Sequence, residues 1–245
     1  MQISAVQLRP IAGDIASNLA RHLAFVELAV NQGAGLVFFP ELSLTGFEPS
    51  LAKSLATDKT DPRLNVLQQR SDTHNIVIGV GLPIAVNAEV QIGMVWFAPR
   101  TSCRSYAKQQ LHADEFPFFV PGDKQLVLET GAHKVAPAIC YESLQPNHAA
   151  HAAKLGVDVY LASVAKPAGG VAKAMSHYPV IARQHQMYVI MSDSVGPCDN
   201  FVSVGQSAAW NPQGELLGQM DGESEGMLML DTVNGKASIH ALQKV

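Results

Sequence analysis

The run Asn18-Leu-Ala-Arg-His-Leu-Ala-Phe-Val-Glu-Leu-Ala-Val-Asn-Gln-Gly33-Ala-Gly-Leu36-Val-Phe-Phe39-Pro40-Glu41 holds a helix, a stop and a buried strand in succession. Leu19, Leu23, Val26 and Val30 recur at i, i+4, i+7 and i+11, which predicts an amphipathic helix over 18–32. Gly33 supplies its stop, and the short apolar run 36–39 reads as a buried strand that Pro40 ends.

The same alternation continues outward. A helix is expected over Arg63–His74, then a strand at Ile76–Gly81, then a hairpin of Met94–Phe97 and Ser102–Ala107 around Ala98–Thr101. Further on, strands are expected at Lys134–Ile139, Val157–Ala162 and Tyr188–Ser192, with helices at Asn147–Leu155 and Ala172–Gln186, the latter bent or interrupted at Pro179. Turns are expected at Asn211–Gly214 and Asp221-Gly222. Strands alternating with helices predict a layered α/β domain. No linker, low-complexity run or repeat divides the chain, so its 245 residues are read as a single domain, 1–245.

Composition narrows the function. The net charge is −4, without a basic run, which argues against nucleic acid or a membrane surface as partner. No apolar stretch approaches the ~20 residues of a spanning helix, and the N-terminus lacks the pattern of a signal peptide. Three cysteines, Cys103, Cys140 and Cys198, are sparse and odd in number, as expected of a reducing, cytoplasmic setting. Charged residues make up only 16% of the chain against the usual ~25%, which fits a well-filled core or a face covered by a second subunit.

Three segments place chemically capable side chains at strand ends. Glu41 comes after the buried strand, beside Pro40 and Gly46; it is either a strand-end cap or a desolvated carboxyl suited to proton transfer. Lys108 leaves a strand in Tyr106-Ala-Lys108 and enters a loop that holds Glu115 and Pro121-Gly122; alone it reads as an ordinary exposed lysine. Cys140 ends the apolar strand Ala136-Pro-Ala-Ile139 just before Tyr141-Glu142. An elbow there presents a nucleophile and aims backbone N–H groups at an oxyanion, although a free cysteine also serves as a small core residue. Pro137 is unusual in a central strand, because it removes a ladder donor.

Taken together, Pro40-Glu41 with Thr45-Gly46-Phe47, Tyr106-x-Lys108 with Leu111, Glu115 and Pro121-Gly122, Ile139-Cys140-Tyr141-Glu142, and Gly205-x-Ser207 with Pro212-x-Gly214 resemble the nitrilase (carbon–nitrogen hydrolase) superfamily over residues 2 to about 231. The resemblance implies a four-layer α-β-β-α sandwich and a cysteine-dependent amidase acting on a small amide or carbamoyl compound without a cofactor or metal. It assigns Cys140 as nucleophile, Glu41 as general base and acid, Lys108 with the Tyr141 N–H as oxyanion stabiliser, and Glu115 as a group orienting the lysine or the substrate. A homodimer paired through a helical face is implied as well. Around these, Phe47, Phe118, Phe119, Tyr141 and Val164 are candidate pocket walls, and Glu142 and Lys166 candidate polar contacts; the aromatics equally suit core packing. The family's Arg-Ala-x-Glu-Asn run is replaced here by Ile181-Ala-Arg183-Gln184-His185, which bears on helix packing or subunit contact.

Alternatives remain open on sequence alone. Nitrile-cleaving members usually carry Trp where this chain has Tyr141, the membrane-anchored acyl-transferring members carry spanning helices absent here, and a silent binding protein need not retain Glu41, Lys108 and Cys140 together. His148 and His151 share a helix face but lack a third metal ligand, so they are read as exposed helix histidines. Gly79-Val-Gly81 lacks the third glycine of a dinucleotide site and is read as a tight strand end. Cys103 and Cys198 have no Cys-x-x-Cys spacing for thiol exchange.

Overall fold

The computed structural model describes residues 1–131 and 133–242. In chain order, the first half comprises β1 (Gln2–Gln7), α1 (Ile15–Asn31), β2 (Leu36–Phe38), α2 (Ala52–Leu55), α3 (Asn65–His74), β3 (Val77–Val86), β4 (Glu89–Phe97) and β5 (Arg104–Ala107). The second half opens with β6 (Leu128–Thr130), β7 (His133–Ile139), α4 (Pro146–Lys154), β8 (Val159–Val164), α5 (Ala168–His185) and β9 (Tyr188–Asp193). Short strands finish it: β10 (Val195–Cys198), β11 (Phe201–Val204), β12 (Ala208–Trp210), β13 (Leu216–Gln219), β14 (Gly226–Asp231) and β15 (Lys236–Ala241).

Among the described residues these strands form a seven-stranded sheet in the order β15-β14-β1-β2-β3-β4-β5 and a six-stranded sheet in the order β13-β12-β9-β8-β7-β6, beside the hairpin β10-β11. β1, β2 and β3 run parallel in the first sheet, as do β7, β8 and β9 in the second. Helices cross over between parallel strands, as the short reach of the chain requires. Ile3, Phe38, Met94, Ile139, Leu161 and Ile190 fill the space between the sheets. Phe25, Val26, Val37 and Phe39 pack α1 and α3 on one outer face; Ala138, Ala162, Tyr178 and Ile181 pack α4 and α5 on the other. The result is a four-layer α-β-β-α sandwich. Burial on both faces is why Leu36-Val-Phe-Phe39 is continuously apolar rather than alternating.

Several expectations shift in detail. The helix expected over 18–32 spans Ile15–Asn31, with Asp14 accepting from the Ser17 N–H at 3.0 Å as its cap. Its buried face is Asn18, His22, Phe25, Val26 and Ala29; Leu19, Leu23 and Val30 lie half-buried beside it. Polar Asn18 and His22 escape a count of apolar positions because hydrogen bonding is what buries them. β3 does not end at Gly81 but runs through Pro83 to Val86 and pairs with β4 along its length. Pro83 and Pro137 are tolerated for one reason. Each lies beyond the end of a short neighbour, β2 or β6, and its carbonyl on that side accepts from the Thr57 N–H at 3.2 Å or the Gln125 Nε2 at 3.0 Å. α5 begins at Ala168 and continues past Pro179. Arg183 and Gln184 lie exposed near its end, so the departure at 181–185 touches the helix surface.

His22 ties α1 to the turn after Glu41. Its Nδ1 lies 2.7 Å from the Asn18 carbonyl, its Nε2 2.9 Å from Ser43 Oγ, and its ring stacks on Phe39 at 4.1 Å. Complete burial lowers its pKa from 6.5 to about 3. An unfolded chain therefore takes up this proton near pH 6.5, whereas the fold refuses it until about pH 3. Stability falls as pH drops through that window, by on the order of 5 kcal/mol from this group. Denaturant melts of the wild type and His22→Gln across the window are expected to differ by that slope.

Candidate active site

Glu41, Lys108 and Cys140 all leave the carboxyl ends of strands, the edge at which open parallel sheets place their ligands. Glu41 emerges from β2 across Pro40. The Phe39 N–H bonds to the Gly79 carbonyl at 3.0 Å and the Leu44 N–H to the Gly81 carbonyl at 3.0 Å, so the turn carrying Glu41 lies against β3. This contact explains the glycines of 79–81. A Cβ on Gly81 would come within 2.5 Å of the Pro40 carbonyl and 2.6 Å of the Leu42 nitrogen, and one on Gly79 would strike the Trp96 ring. They make room rather than end a strand. Gly81→Ala is accordingly expected to push the Glu41 turn away and to destabilise the protein by about 1–3 kcal/mol, read by thermal melting.

Lys108 comes directly after β5 and is fully buried. Its backbone is held by the Ile92 carbonyl and the Gly122 N–H, both at 2.8 Å, and Gly122 has no space for a Cβ against Ala107. The Lys108 Nζ donates to Glu41 Oε1 at 2.9 Å and to Glu115 Oε1 at 2.6 Å. Glu115 Oε2 accepts from the His112 N–H at 2.8 Å. Burial disfavours the ammonium, but Glu41, Cys140 and Glu115 around it outweigh that and raise its pKa, so Lys108 stays charged. Burial raises the Glu41 pKa against the opposing pull of Lys108. Glu41 Oε2 has no hydrogen-bond partner. A buried acceptor left open in this way is ready to receive a proton.

Cys140 ends β7 with φ +44°, in the left-handed region, and opens a single turn of 3-10 helix over Cys140–Leu144. This is a strained strand-to-helix elbow whose first N–H groups, including that of Tyr141, have no partner within the turn. Burial and Glu41 push the thiol up to about 12; Lys166 and Lys108 oppose the shift. The Sγ lies 3.6 Å from the Ala165 carbonyl and 3.7 Å from the Lys166 Nζ. Cys140, Glu41, Lys108, Glu115 and Lys166 thus share one electrostatic neighbourhood.

A cavity of about 630 Å³ opens over Cys140. Phe47, Glu115, Tyr141 and Lys166 line it with the cysteine, as the sequence suggested, while Glu41 and Lys108 lie fully buried behind this surface. Four expected pocket residues lie elsewhere. Phe118 is exposed and Phe119 is part of the core between the sheets; neither lines the cavity. Val164 packs on the helix side of β8. Glu142 is buried rather than offered to a substrate: it accepts from the Ile139 N–H at 2.7 Å, Tyr106 Oη at 2.6 Å and the Gln109 N–H at 2.6 Å. From the third position of the turn it reaches back as a capping glutamate and couples the elbow to the Lys108 loop. Burial raises its pKa to about 7, opposed by those hydrogen bonds.

His148 belongs to the same buried network, with Nε2 2.9 Å from Tyr106 Oη and Nδ1 2.7 Å from Tyr160 Oη, so it is not an exposed helix histidine. Among the described residues no group of three His, Cys, Asp or Glu is arranged to hold a metal. The cavity also takes Lys173 and His177 from α5 and Phe201 from β11, which sequence reasoning does not single out. The i, i+4 spacing of Lys173 and His177 on an expected helix is the available signal.

The family model described as carbon-nitrogen hydrolase matches residues 2–235. A curated nitrilase from Pyrococcus abyssi is 28% identical over 237 residues, covering 92% of this chain and 86% of its own. A glutamine-dependent NAD(+) synthetase from Acinetobacter baylyi is 26% identical over 89% of this chain, which spans only 41% of that longer protein. A solved structure of an amidase from Nesterenkonia sp. AN1 superposes with a TM-score of 0.85 at 25% identity, covering 94% of this chain and 92% of that one. A variant of that amidase carries the acetamide moiety of fluoroacetamide on its active-site cysteine, and another is described in complex with butyramide.

Proposed function

The chain belongs to the carbon–nitrogen hydrolase family, and on that premise we propose that it hydrolyses the carbon–nitrogen bond of a small linear amide or carbamoyl compound through a thioester on Cys140. The observation that carries this reading is the buried Lys108 ammonium bridging Glu41 and Glu115 beside the cysteine elbow. Since the thiol is held un-ionised at rest, Glu41 takes its proton on the open Oε2 as sulfur attacks the carbonyl carbon. The negative charge developing on the carbonyl oxygen falls to the Lys108 ammonium and the Tyr141 N–H. Glu41 returns the proton to the departing amine or ammonia, leaving the acyl group on sulfur. It then deprotonates the water that frees the acid. Glu115 holds Lys108 in place throughout.

The cavity, with Phe47, Tyr141 and Phe201 on its walls, suits a small acyl group. The reading includes a homodimer, checked by light scattering in solution. A panel of small amides and carbamoyl compounds assayed for released ammonia tests the activity; nitriles are included because one relative is a nitrilase. At least one amide is expected to turn over, and a panel of nitriles alone turning over would replace this reading by nitrile hydrolysis.

A further inference from the structure

Lys166 lies just beyond β8, which places it across the elbow from Lys108. It is 3% exposed, and its Nζ lies 3.7 Å from Cys140 Sγ and 3.4 Å from the Cys140 carbonyl. Its backbone is fixed: the N–H donates to Asp193 Oδ1 at 3.0 Å and Ser203 Oγ at 2.9 Å, and its carbonyl accepts from the Val204 N–H at 3.0 Å. A Cβ on Gly170 would meet the Lys166 stem at 3.2 Å, so the first turn of α5 packs on it.

The two lysines differ in their neutralisation. Lys108 is bonded to two carboxylates. Among the described residues, no carboxylate oxygen lies within ion-pair distance of the Lys166 Nζ, and Asp193 and Glu41 act on it only from further away. Burying an ammonium without a counter-ion is costly, and the group in contact with this one is the reacting sulfur. We propose that Lys166 is a catalytic residue, the counter-ion that holds Cys140 as thiolate once Glu41 has taken the thiol proton. The S–H bond breaks toward Glu41, its electron pair stays on sulfur, and Lys166 keeps its own protons. Lys108 is thereby left free to serve the substrate oxygen. This deepens the reading of Cys140 as nucleophile and rests on it.

The charged groups facing Sγ are Glu41 after β2, Lys108 after β5, Glu115 in the loop beyond it and Lys166. Asp193 at the end of β9 and Tyr178 and His177 on α5 face Lys166. Because Glu41 raises the thiol pKa, a Glu41→Gln background brings ionisation down toward accessible pH. In that background the ultraviolet absorbance of the thiolate is titrated, with Cys140→Ala as blank, for Lys166, Lys166→Met and Lys166→Gln. Gln keeps a donor for the Cys140 carbonyl but no charge.

Both neutral variants are expected to raise the midpoint by about one unit or more, with iodoacetamide labelling of Cys140 slowed about tenfold below the midpoint. Lys166→Arg is expected to keep the midpoint close to that of the parent and covers the case in which a neutral variant does not fold. An unchanged midpoint in the neutral variants overturns the proposal and leaves Lys166 a structural brace of the elbow. A midpoint raised as far in Lys166→Arg as in a neutral variant overturns it too. None of these measurements needs an amide to turn over, so they stand apart from a failure of the amidase reading.

Discussion

With Cys140 replaced by alanine, hydrolysis of any amide the protein turns over falls by on the order of 10⁴-fold or more, while the fold persists. On the proposed mechanism the loss is that of the sole nucleophile, without which the oxyanion donors and the cavity leave only residual catalysis. Stability moves little because Cys140 is held by its backbone: β7 runs into it, Glu142 grips the preceding N–H, and Ser143 Oγ donates to its carbonyl at 2.6 Å. Alanine keeps the strained φ of +44° and removes a single sulfur atom. Steady-state ammonia release alongside a thermal melt separates the two effects. Retained turnover by the alanine variant would move the chemistry elsewhere.

Lys108→Met is expected to damage both activity and stability. Glu41 and Glu115 would lose the ammonium that lies 2.9 Å and 2.6 Å from their oxygens. Breaking one partner of a buried ion pair costs about 3–5 kcal/mol, because the remaining charge is left uncompensated. Glu41, already pushed up by burial, loses the opposing pull of Lys108 and then spends more of its time protonated and unable to take the thiol proton. Loss of the oxyanion donor alone removes about 10²–10³ in rate, so the combined fall in kcat exceeds that. Lys108→Arg is a poor rescue, since the planar guanidinium cannot sit between two carboxyls in a space shaped for an ammonium. A chemical-denaturation curve and kcat from the same preparation check both parts.

Glu41 and Cys140 were legible because each follows an apolar strand of a recognisable kind, whereas Lys108 follows the largely exposed strand Arg104–Ala107 and was legible only through its motif. Leu36-Val-Phe-Phe39 and Ala136-Pro-Ala-Ile139 are apolar on both faces, as only strands covered on two sides are, and the residues just past such a strand emerge at the ligand-binding edge. The faces of individual side chains were harder. Val164 and Glu142 stand within two positions of lining residues, yet one packs toward α4 and α5 and the other turns back to cap the elbow. A one-residue change of register reverses a side chain in a strand, and the local sequence does not reveal it.

Long-range partners were hidden for a related reason. Asn18, His22 and His148 are polar residues buried because distant atoms satisfy them: the Leu44 carbonyl, Ser43, Tyr106 and Tyr160. Composition counts them as surface. Lys166 is the most consequential case, since a lysine after an apolar strand gives no sign that its ammonium lies against the Cys140 sulfur.

The proposed chemistry places the acyl group on Cys140. It is tested by quenching the protein during turnover of an amide substrate and locating the added mass by peptide mapping. The expected result is a single acyl adduct on the peptide containing Cys140, absent from Cys140→Ala. An adduct on Cys103 or Cys198, or full turnover without any adduct in the alanine variant, would contradict it.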